Sequence, residues 1–233
     1  MNKSLIAAVS AALALTSAAS AWTPKLDALT AQAVVDDAYG RSVGDKVLTY
    51  QTVDLTVAKG AFAAGSSAVS QWSGDKTCLS SWLKAPVDFT NGSRPQAVTV
   101  YGQADFAYWA AVAAHDQFAY MTAADAVKAA QSSLPDGRLR AEFKLAGLKD
   151  QKLRDAYLVM MLGKDGKPVR PEKANFLDDW KQDAAGLWSG SMAYTFNAAG
   201  AGVDPQGTLS LLFRTEAKQD CAYKVDVDLS KFR

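Results

Sequence analysis

The alternation near the C-terminus constrains the fold of this 233-residue chain more than any other feature of its sequence. Apolar or cysteine side chains stand at every second position from Cys221 to Leu229, and from Lys224 onward the positions between them are polar. A spacing of two residues places the apolar side chains on one face of an extended strand and the polar ones on the other. The pattern therefore predicts a β-strand with one buried face and one solvated face.

Four further segments in the second half of the sequence also predict strands. Three alternate in the same way, whereas residues 157–162 are apolar throughout and are expected to be covered on both faces. The turn-rich stretches between these segments favour antiparallel pairing. We therefore predict an α+β fold, with mainly an antiparallel β-sheet or sandwich in the C-terminal half and helices concentrated in the N-terminal half. The three alternating segments are 138–145, 192–196 and 209–213.

Helix signals gather in the first half of the sequence. A threonine–proline pair at residues 23–24 predicts a helix start, and the apolar pattern that follows ends at Gly40. A second helix is predicted to begin at Thr122, because Asp125 completes a capping box, and to end before Leu134. Strand-like composition occurs between these helices at 47–57 and 98–109, whereas 109–121 fits either helix or strand.

This contrast divides the mature chain into a mixed helix and strand region, 22–134, and an antiparallel β region, 135–233. The turn residues Pro135-Asp136-Gly137 lie between the two regions. Such residues fit a link between two domains, and they also fit a turn within one domain. The two regions can therefore form either two domains or one.

The first 21 residues have the three zones of a cleavable signal peptide. Lys3 is the only charged residue, the apolar run Leu5–Leu15 follows it, and Ala19-Ser20-Ala21 ends in a small-x-small pattern. The apolar run spans 11 residues, whereas a helix needs roughly 20 to cross a bilayer. We therefore predict export to the periplasm or the extracellular space, a mature N-terminus at Trp22, and no transmembrane segment after the signal is removed.

The charge of the mature chain is balanced. Removal of Lys3 with the signal leaves 24 basic and 24 acidic residues, and no long run of one sign. Nucleic-acid-binding proteins neutralise phosphates with a basic surface, which this composition does not provide. We therefore predict no nucleic-acid partner.

The chain has two cysteines, Cys78 and Cys221. In an exported protein an even number of cysteines favours a disulfide, which here joins the helix-rich half to the strand-rich half. The alternative is a pair of reduced, buried cysteines that pack as small apolar residues.

The residues that most often perform catalysis or bind transition metals are scarce. His115 is the only histidine, and zinc sites draw on several Cys or His ligands, so we predict no metal centre and no cofactor. Ser81 and Lys84 have the S-x-x-K spacing, which places them one turn apart on a helix. Because that spacing fixes only two common residue types, we predict no catalytic residue from it.

Acidic pairs are a further group of candidates. A glycosidase needs two carboxylates that face each other across a sugar, and these usually come from separate elements of the fold. Neighbouring acids in the sequence are instead expected to be solvated surface charges. A calcium site is conceivable at three aspartates, because calcium binds oxygen ligands, although their spacing matches no EF-hand loop. The pairs are Asp36/Asp37, Asp178/Asp179 and Asp226/Asp228, and the calcium candidates are Asp178, Asp179 and Asp183.

Aromatic residues supply the remaining candidate site. Six tryptophans are present, and most are expected to fill the core. Trp180 is different, because it follows Phe176 and Leu177 within the long, charged connection 164–184, for which the sequence predicts no structure. Long connections of this kind often form binding segments. We therefore predict that Phe176, Leu177 and Trp180 contribute to a binding surface, and that Trp180→Ala weakens binding while it leaves the fold intact.

These observations favour an exported, non-enzymatic protein that binds a small ligand or a protein partner of the cell envelope. The alternative is an exported hydrolase that uses Ser81 with Lys84, or a pair of carboxylates that only the fold brings together. The two functions differ in what a cleft should hold. Converging serine or carboxylate groups favour the hydrolase, whereas an apolar or aromatic groove favours binding.

Overall fold

The computed structural model describes residues 21–90, 92–217 and 220–233, so the predicted signal peptide lies outside the described residues except for Ala21. Four α-helices occur in the described part of the chain: α1 Ala28–Ala38, α2 Thr77–Lys84, α3 Gln103–Asp116 and α4 Ala123–Ser133. Two short 3-10 helices lie at Gln151–Ala156 and Leu229–Lys231. The strands are β1 Tyr50–Asp54, β2 Val57–Ala58, β3 Ala61–Phe62, β4 Val69–Ser73, β5 Arg94–Tyr101, β6 Arg138–Leu148, β7 Leu158–Leu162, β8 Pro168–Val169, β9 Lys173–Phe176, β10 Lys181–Gln182, β11 Trp188–Asn197, β12 Thr208–Arg214 and β13 Ala222–Asp228.

These strands form two large antiparallel sheets. The first sheet has the order β1-β5-β6-β11-β10, with β9 also paired to β11, and the second has the order β4-β13-β12-β7-β8. Strands β2 and β3 form a separate hairpin. The α-helices all precede residue 134 in the described chain, and β6 to β13 follow it. The predicted α+β class, with antiparallel sheets and helices concentrated in the N-terminal half, is confirmed.

The two large sheets face each other across a shared core. Phe143 on β6 contacts Phe213 on β12, with ring centroids 5.6 Å apart. Trp82 on α2 packs edge-on against Tyr223 of β13 at 5.3 Å and against Phe62 at 5.0 Å, so α2 covers part of this core. The structure is therefore a β-sandwich, and strands such as β6 and β13 bury alternate side chains in its core. The burial pattern of the last strand follows the predicted alternation from Cys221 to Leu229.

A second apolar cluster joins α1, α3 and α4. Ala107 and Ala111 of α3 are fully buried against Val34 of α1 and Ala126 of α4. Small side chains let the helices approach closely, which explains the alanine-rich sequence of this region. The buried Gln103 side chain at the start of α3 accepts a hydrogen bond from the main-chain N–H of Leu26, a residue of the same cluster.

The first helix begins later than the sequence predicts. It starts at Ala28 rather than near Pro24, and Asp27 is its N-cap residue. The Asp27 carboxylate accepts hydrogen bonds from the main-chain N–H groups of Leu29 and Thr30. A cap at Thr23 does not provide an acceptor for these two N–H groups. Leu29, two residues after the cap, is exposed.

The predicted strands of the first half are also corrected. The strand expected at 98–109 ends at Tyr101, and α3 begins at Gln103 after Gly102. The alternation of this segment stops at Gly102, and the alanines beyond it favour helix. The ambiguous segment 109–121 is helical up to Asp116. The segment expected as a strand at 47–57 is one only in part, as β1. By contrast, α4 has the predicted capping box between Thr122 and Asp125.

Strand β7 is covered on one face only, contrary to the prediction for residues 157–162. Val159 and Met161 are buried in the sandwich core, whereas Leu158 is 39% exposed and Met160 is half-buried. The reason is that the helix layer packs elsewhere, so the outer face of the second sheet is open at this strand.

Both large sheets combine strands from the two sides of Pro135. Strand β5 pairs with β6 in the first sheet, and β4 pairs with β13 in the second. The turn at Pro135-Asp136-Gly137 leads from α4 into β6, with Gly137 in the left-handed region at a φ of 77°. The division into the regions 22–134 and 135–233, as two domains or as one, stays a prediction.

The predicted disulfide between Cys78 and Cys221 is present and links α2 to the start of β13. Both cysteines are buried.

Among the described residues, none of the helices has the length and apolar character needed to cross a membrane.

Candidate functional site

The predicted binding residues Phe176 and Trp180 both lie next to one arginine. Arg154, on the 3-10 helix Gln151–Ala156, places its guanidinium 4.0 Å from the centroid of the Phe176 ring and 5.6 Å from that of Trp180. Cations are attracted to the faces of aromatic rings at such distances. Phe176 is 38% exposed and Trp180 is half-buried. The cluster thus has one open ring and one that is packed.

Trp180 is held against β11 by its neighbours. A Cβ atom on Gly190 would lie 2.4 Å from the Trp180 ring, so the ring occupies space that only a glycine leaves open. The Asp179 carboxylate accepts hydrogen bonds from the main-chain N and the hydroxyl of Ser191, at 2.8 and 2.7 Å. Leu177 donates its main-chain N–H to the Ser191 carbonyl.

The connection 164–184 is therefore organised, although the sequence predicts no structure there. It contains β8, β9 and β10, and the last two pair with β11. These strands are only two to four residues long, which is too short for alternation to identify them from sequence. The structure brings Phe176 and Trp180 together at Arg154, and their role in binding stays a prediction.

The calcium candidates do not converge. The Asp179 carboxylate is bound to Ser191, and the Asp183 carboxylate accepts from the main-chain N–H groups of Ala185 and Leu187. Within the ranges that the structure describes, no group of three acidic, histidine or cysteine residues is placed to hold a metal ion.

The other acidic pairs have local partners. Asp36 forms an ion pair with Arg41 at 3.0 Å, and Asp226 forms one with Lys224 at 2.8 Å. The Asp228 carboxylate accepts from Ser230. The expectation of solvated surface charges agrees with these contacts for Asp36, Asp226 and Asp228, but it is wrong for Asp37, which is buried.

Ser81 and Lys84 are both exposed on α2, and no hydrogen bond joins their side chains in the described structure. His115 lies at the exposed end of α3, with its Nδ1 atom 3.7 Å from Asp116. A different serine has a carboxylate partner: the Ser93 hydroxyl contacts Tyr157 and donates to Glu216 at 2.7 Å. Ser93 is completely buried, so this arrangement is closed to a substrate.

An apolar groove lies on the outer face of the second sheet. Its cavity volume is about 200 Å³. We call it the outer groove and define it by five apolar side chains from β4, β7, β8 and β12. They are Trp72, Leu158, Met160, Pro168 and Leu212.

Sheet pairing positions these side chains. Leu212 and Met160 are register partners on β12 and β7. Trp72 lies at a bulge, where the register between β4 and β13 shifts, and it is 47% exposed. Arg214 and Asp220 also line the groove and approach each other to 3.7 Å. The outer groove is thus an apolar surface with one charged pair at its border.

The neighbouring edge of β7 is largely open. Strand β8 pairs only with Met161 and Leu162. From Leu158 to Met160, no strand of the described chain pairs with the edge of β7 that faces away from β12. Such an edge carries backbone N–H and C=O groups that can pair with another extended segment.

A second groove lies between the helices and the start of β1, with a cavity volume of about 290 Å³. We call it the acidic groove. The exposed rings of Trp109 and Tyr50 line it together with the carboxylates of Asp37 and Asp105. The remaining lining residues are Lys46, Val47, Leu48, Thr49 and Tyr108.

The two carboxylates of the acidic groove are buried and hydrogen-bonded. Asp105 accepts from the Thr49 hydroxyl at 2.7 Å, and Asp37 accepts from the Val47 main chain at 2.6 Å and from the Ser42 hydroxyl. Burial raises the pKa of Asp105, the Thr49 hydrogen bond opposes the rise, and the nearby Glu142 charge adds to it. Asp105 is thus a carboxylate whose charge the site stabilises poorly.

The sequence did not identify either groove. The continuous apolar run of β7 was a usable signal for the outer groove, because an apolar face that nothing covers becomes surface. Asp105 lies in a segment expected to be a strand, so its position beside β1 could not be inferred.

No protein-family model and no curated protein matches the chain. Among solved structures, the chain is similar to bovine butyrophilin, with 13% sequence identity and a TM-score of 0.25. The similarity covers 40% of this chain and 36% of the butyrophilin chain, and so spans about a third of that protein's length.

Proposed function

We propose that this is an exported, non-enzymatic protein that binds an extended apolar segment of an envelope protein at the outer groove. The observation that carries the proposal is the cluster of Trp72, Leu158 and Met160 on an outer sheet face. Exposed apolar clusters of this kind mark interaction sites. The disulfide is consistent with an exported location, and the signal-like N-terminal sequence motivates it.

The rest of the same sheet face shows that the apolar cluster is local. Next to Leu212, the face carries Ser210, Lys224 and Asp226, which bind one another through contacts of 2.6 and 2.8 Å. This part of the face is therefore polar and is compatible with contact with solvent, whereas the outer groove is apolar. Burial of a tryptophan in a partner contributes about 2 kcal/mol or more at an interface hot spot.

The open edge of β7 supports an extended segment as the occupant. A strand added beside Leu158 to Met160 can pair with the free backbone groups of that edge. Every second side chain of the added strand then points to the face on which the outer groove lies. Apolar side chains at alternate positions therefore fit both the edge and the groove, and a charged residue beyond them can meet Arg214 or Asp220.

The test uses a fluorescent peptide that alternates valine and threonine, with anisotropy as the measurement. Trp72→Ala and Leu158→Asp are each expected to weaken binding about tenfold or more. Leu29→Ala is the control variant, because it removes an exposed apolar side chain from α1, outside the groove. A peptide with methylated backbone nitrogens is expected to bind poorly, since it cannot pair with the β7 edge. Equal affinity for the variants, or for the methylated peptide, would contradict the proposal.

A hydrolase is the second candidate function, and the acidic groove is the observation that favours it. Asp37 and Asp105 come from different helices and line one cavity, and a carboxyl group with a raised pKa can act as a general acid. Under this alternative, the protein hydrolyses nitrophenyl glycosides, and Asp105→Asn abolishes turnover. Absence of turnover by the wild-type protein contradicts it.

A further inference from the structure

We propose that the acidic groove binds an organic cation, whose ammonium or guanidinium group contacts both the face of the Trp109 ring and the Asp105 carboxylate. This site is separate from the outer groove, so the inference does not depend on the proposed function. Three properties of the groove support it: an uncompensated buried carboxylate, exposed aromatic walls and an excess of negative charge.

The carboxylate of Asp105 lacks a cationic partner. The residue is only 9% exposed, and in the described chain no lysine or arginine forms an ion pair with it. Its hydrogen-bond donors, the Thr49 hydroxyl and the Trp109 indole, are neutral. A buried carboxylate is unfavourable unless it is paired, so a bound cation relieves a cost that already exists in the free protein.

Aromatic rings form the open side of the groove. Trp109 is 60% exposed, and Tyr108 packs edge-on against it with a centroid distance of 5.3 Å. Tyr50 at the start of β1 is also exposed beside the cavity. An exposed indole face attracts cations, and the neighbouring tyrosine holds the ring in a defined orientation. These rings thus provide a surface that a cation can stack on.

The charge balance of the lining is negative. Asp37 and Asp105 are the two acids, and Lys46 is the one lysine or arginine among the lining residues. Lys46 is exposed and forms no ion pair with either acid. Asp37 is fixed as an acceptor by the Val47 main chain. A cationic ligand therefore restores neutrality, whereas a neutral saccharide can use the rings but leaves the buried charge unpaired.

The cavity volume of about 290 Å³ limits the ligand to a small molecule or a single basic side chain. Both sources present the same chemical group. A free alkyl amine or guanidine enters as a whole, and an arginine or lysine of a peptide inserts only its end. A blocked peptide with one arginine distinguishes the two sources, because it binds at least as well as a small guanidine only if the groove is open to a chain.

The experiment compares butylguanidinium with N-butylurea, which has nearly the same shape and no charge, by ligand-observed NMR titration. Butylguanidinium is expected to bind about tenfold more tightly than the urea, because a charge-assisted hydrogen bond replaces a neutral one. Asp105→Asn is expected to remove that preference while it keeps an acceptor for Thr49. Trp109→Ala is expected to weaken butylguanidinium about fivefold. Asp116→Asn, at the exposed end of the same helix, is the control variant and is expected to bind as the wild type does.

Circular dichroism verifies that each variant is folded. Because Trp109 is exposed, its substitution keeps the test valid even if Asp105→Asn fails to fold. Equal binding of the urea and the guanidinium would overturn the proposal. Tighter binding of methyl glucoside than of butylguanidinium would overturn it too and would favour the saccharide alternative. Unchanged affinity in Trp109→Ala would also exclude the stacked arrangement.

Discussion

Cys78 and Cys221 form a disulfide across 143 positions of sequence, with Cα atoms 6.0 Å apart. The bridge fixes α2, which carries Trp82, against the start of β13 and the sandwich core. Because the closed loop is long, the disulfide restricts the unfolded chain strongly.

We therefore expect the double variant Cys78→Ala/Cys221→Ala to lose up to about 5 kcal/mol of unfolding free energy. Urea denaturation of the variant and of the oxidised wild type measures this difference. Thiol labelling of denatured, unreduced wild type is the control and should find no reactive cysteine. Two labelled thiols, or equal stability of the two proteins, would contradict the prediction.

The mature N-terminus is predicted at Trp22. Its main-chain N donates to the Leu229 carbonyl at 2.8 Å, and its ring is buried close to Gly102. Cleavage after Ala21 leaves this hydrogen bond and this packing in place. Mass spectrometry of the exported protein should find a chain that starts at Trp22, and an intact Met1 in the exported fraction would refute the prediction.

Trp22→Ala should lower the free energy of unfolding by about 3 to 5 kcal/mol, because it empties a core position.

Trp180 and Phe176 should differ in what they contribute. The sequence alone led to the expectation that Trp180→Ala leaves the fold intact. With Trp180 packed on Gly190, we now expect that variant to lose about 2 kcal/mol of unfolding free energy. Phe176→Ala, which removes the more exposed ring, should change stability by less than about 1 kcal/mol. Urea denaturation of both variants tests this order, and a larger loss for Phe176→Ala would reverse our assignment of the packed ring.

Asp105 should make stability depend on pH. Burial raises the pKa of its carboxyl above the ordinary value of 3.8, so between the unfolded and folded values the native state binds more protons. The stability contribution of Asp105 therefore falls as pH rises through that window. Asp105→Asn cannot ionise, and we expect it to gain stability relative to wild type between about pH 4 and pH 7. Denaturation curves at both pH values measure the change, with Asp116→Asn as the control. A relative loss at neutral pH would show that the carboxylate is stabilised by its site.

The local features of this chain were determined by its sequence. The strand from Cys221 to Leu229 and the helix that begins after Thr122 were predicted, because alternation and capping depend on residues that are close in the sequence. The disulfide was predicted because the chain has only two cysteines, so only one pairing is possible. The start of α1 was missed although its cause is also local, since Asp27 is the better cap.

Only the tertiary structure decided which apolar faces are covered. Residues 157–162 are apolar on both faces, yet Leu158 lies on the open side of the second sheet because no described element packs over it. Likewise, the sequence places Asp105 and Thr49 56 positions apart, and the packing of α3 beside β1 joins them. Side-chain direction follows from the local backbone, whereas burial and partners depend on contacts between segments that are distant in the chain. The longer alternating strands of the second half could thus be inferred from sequence, but the short strands β8 to β10, the open face of β7 and both grooves arise from how the sheets and helices pack.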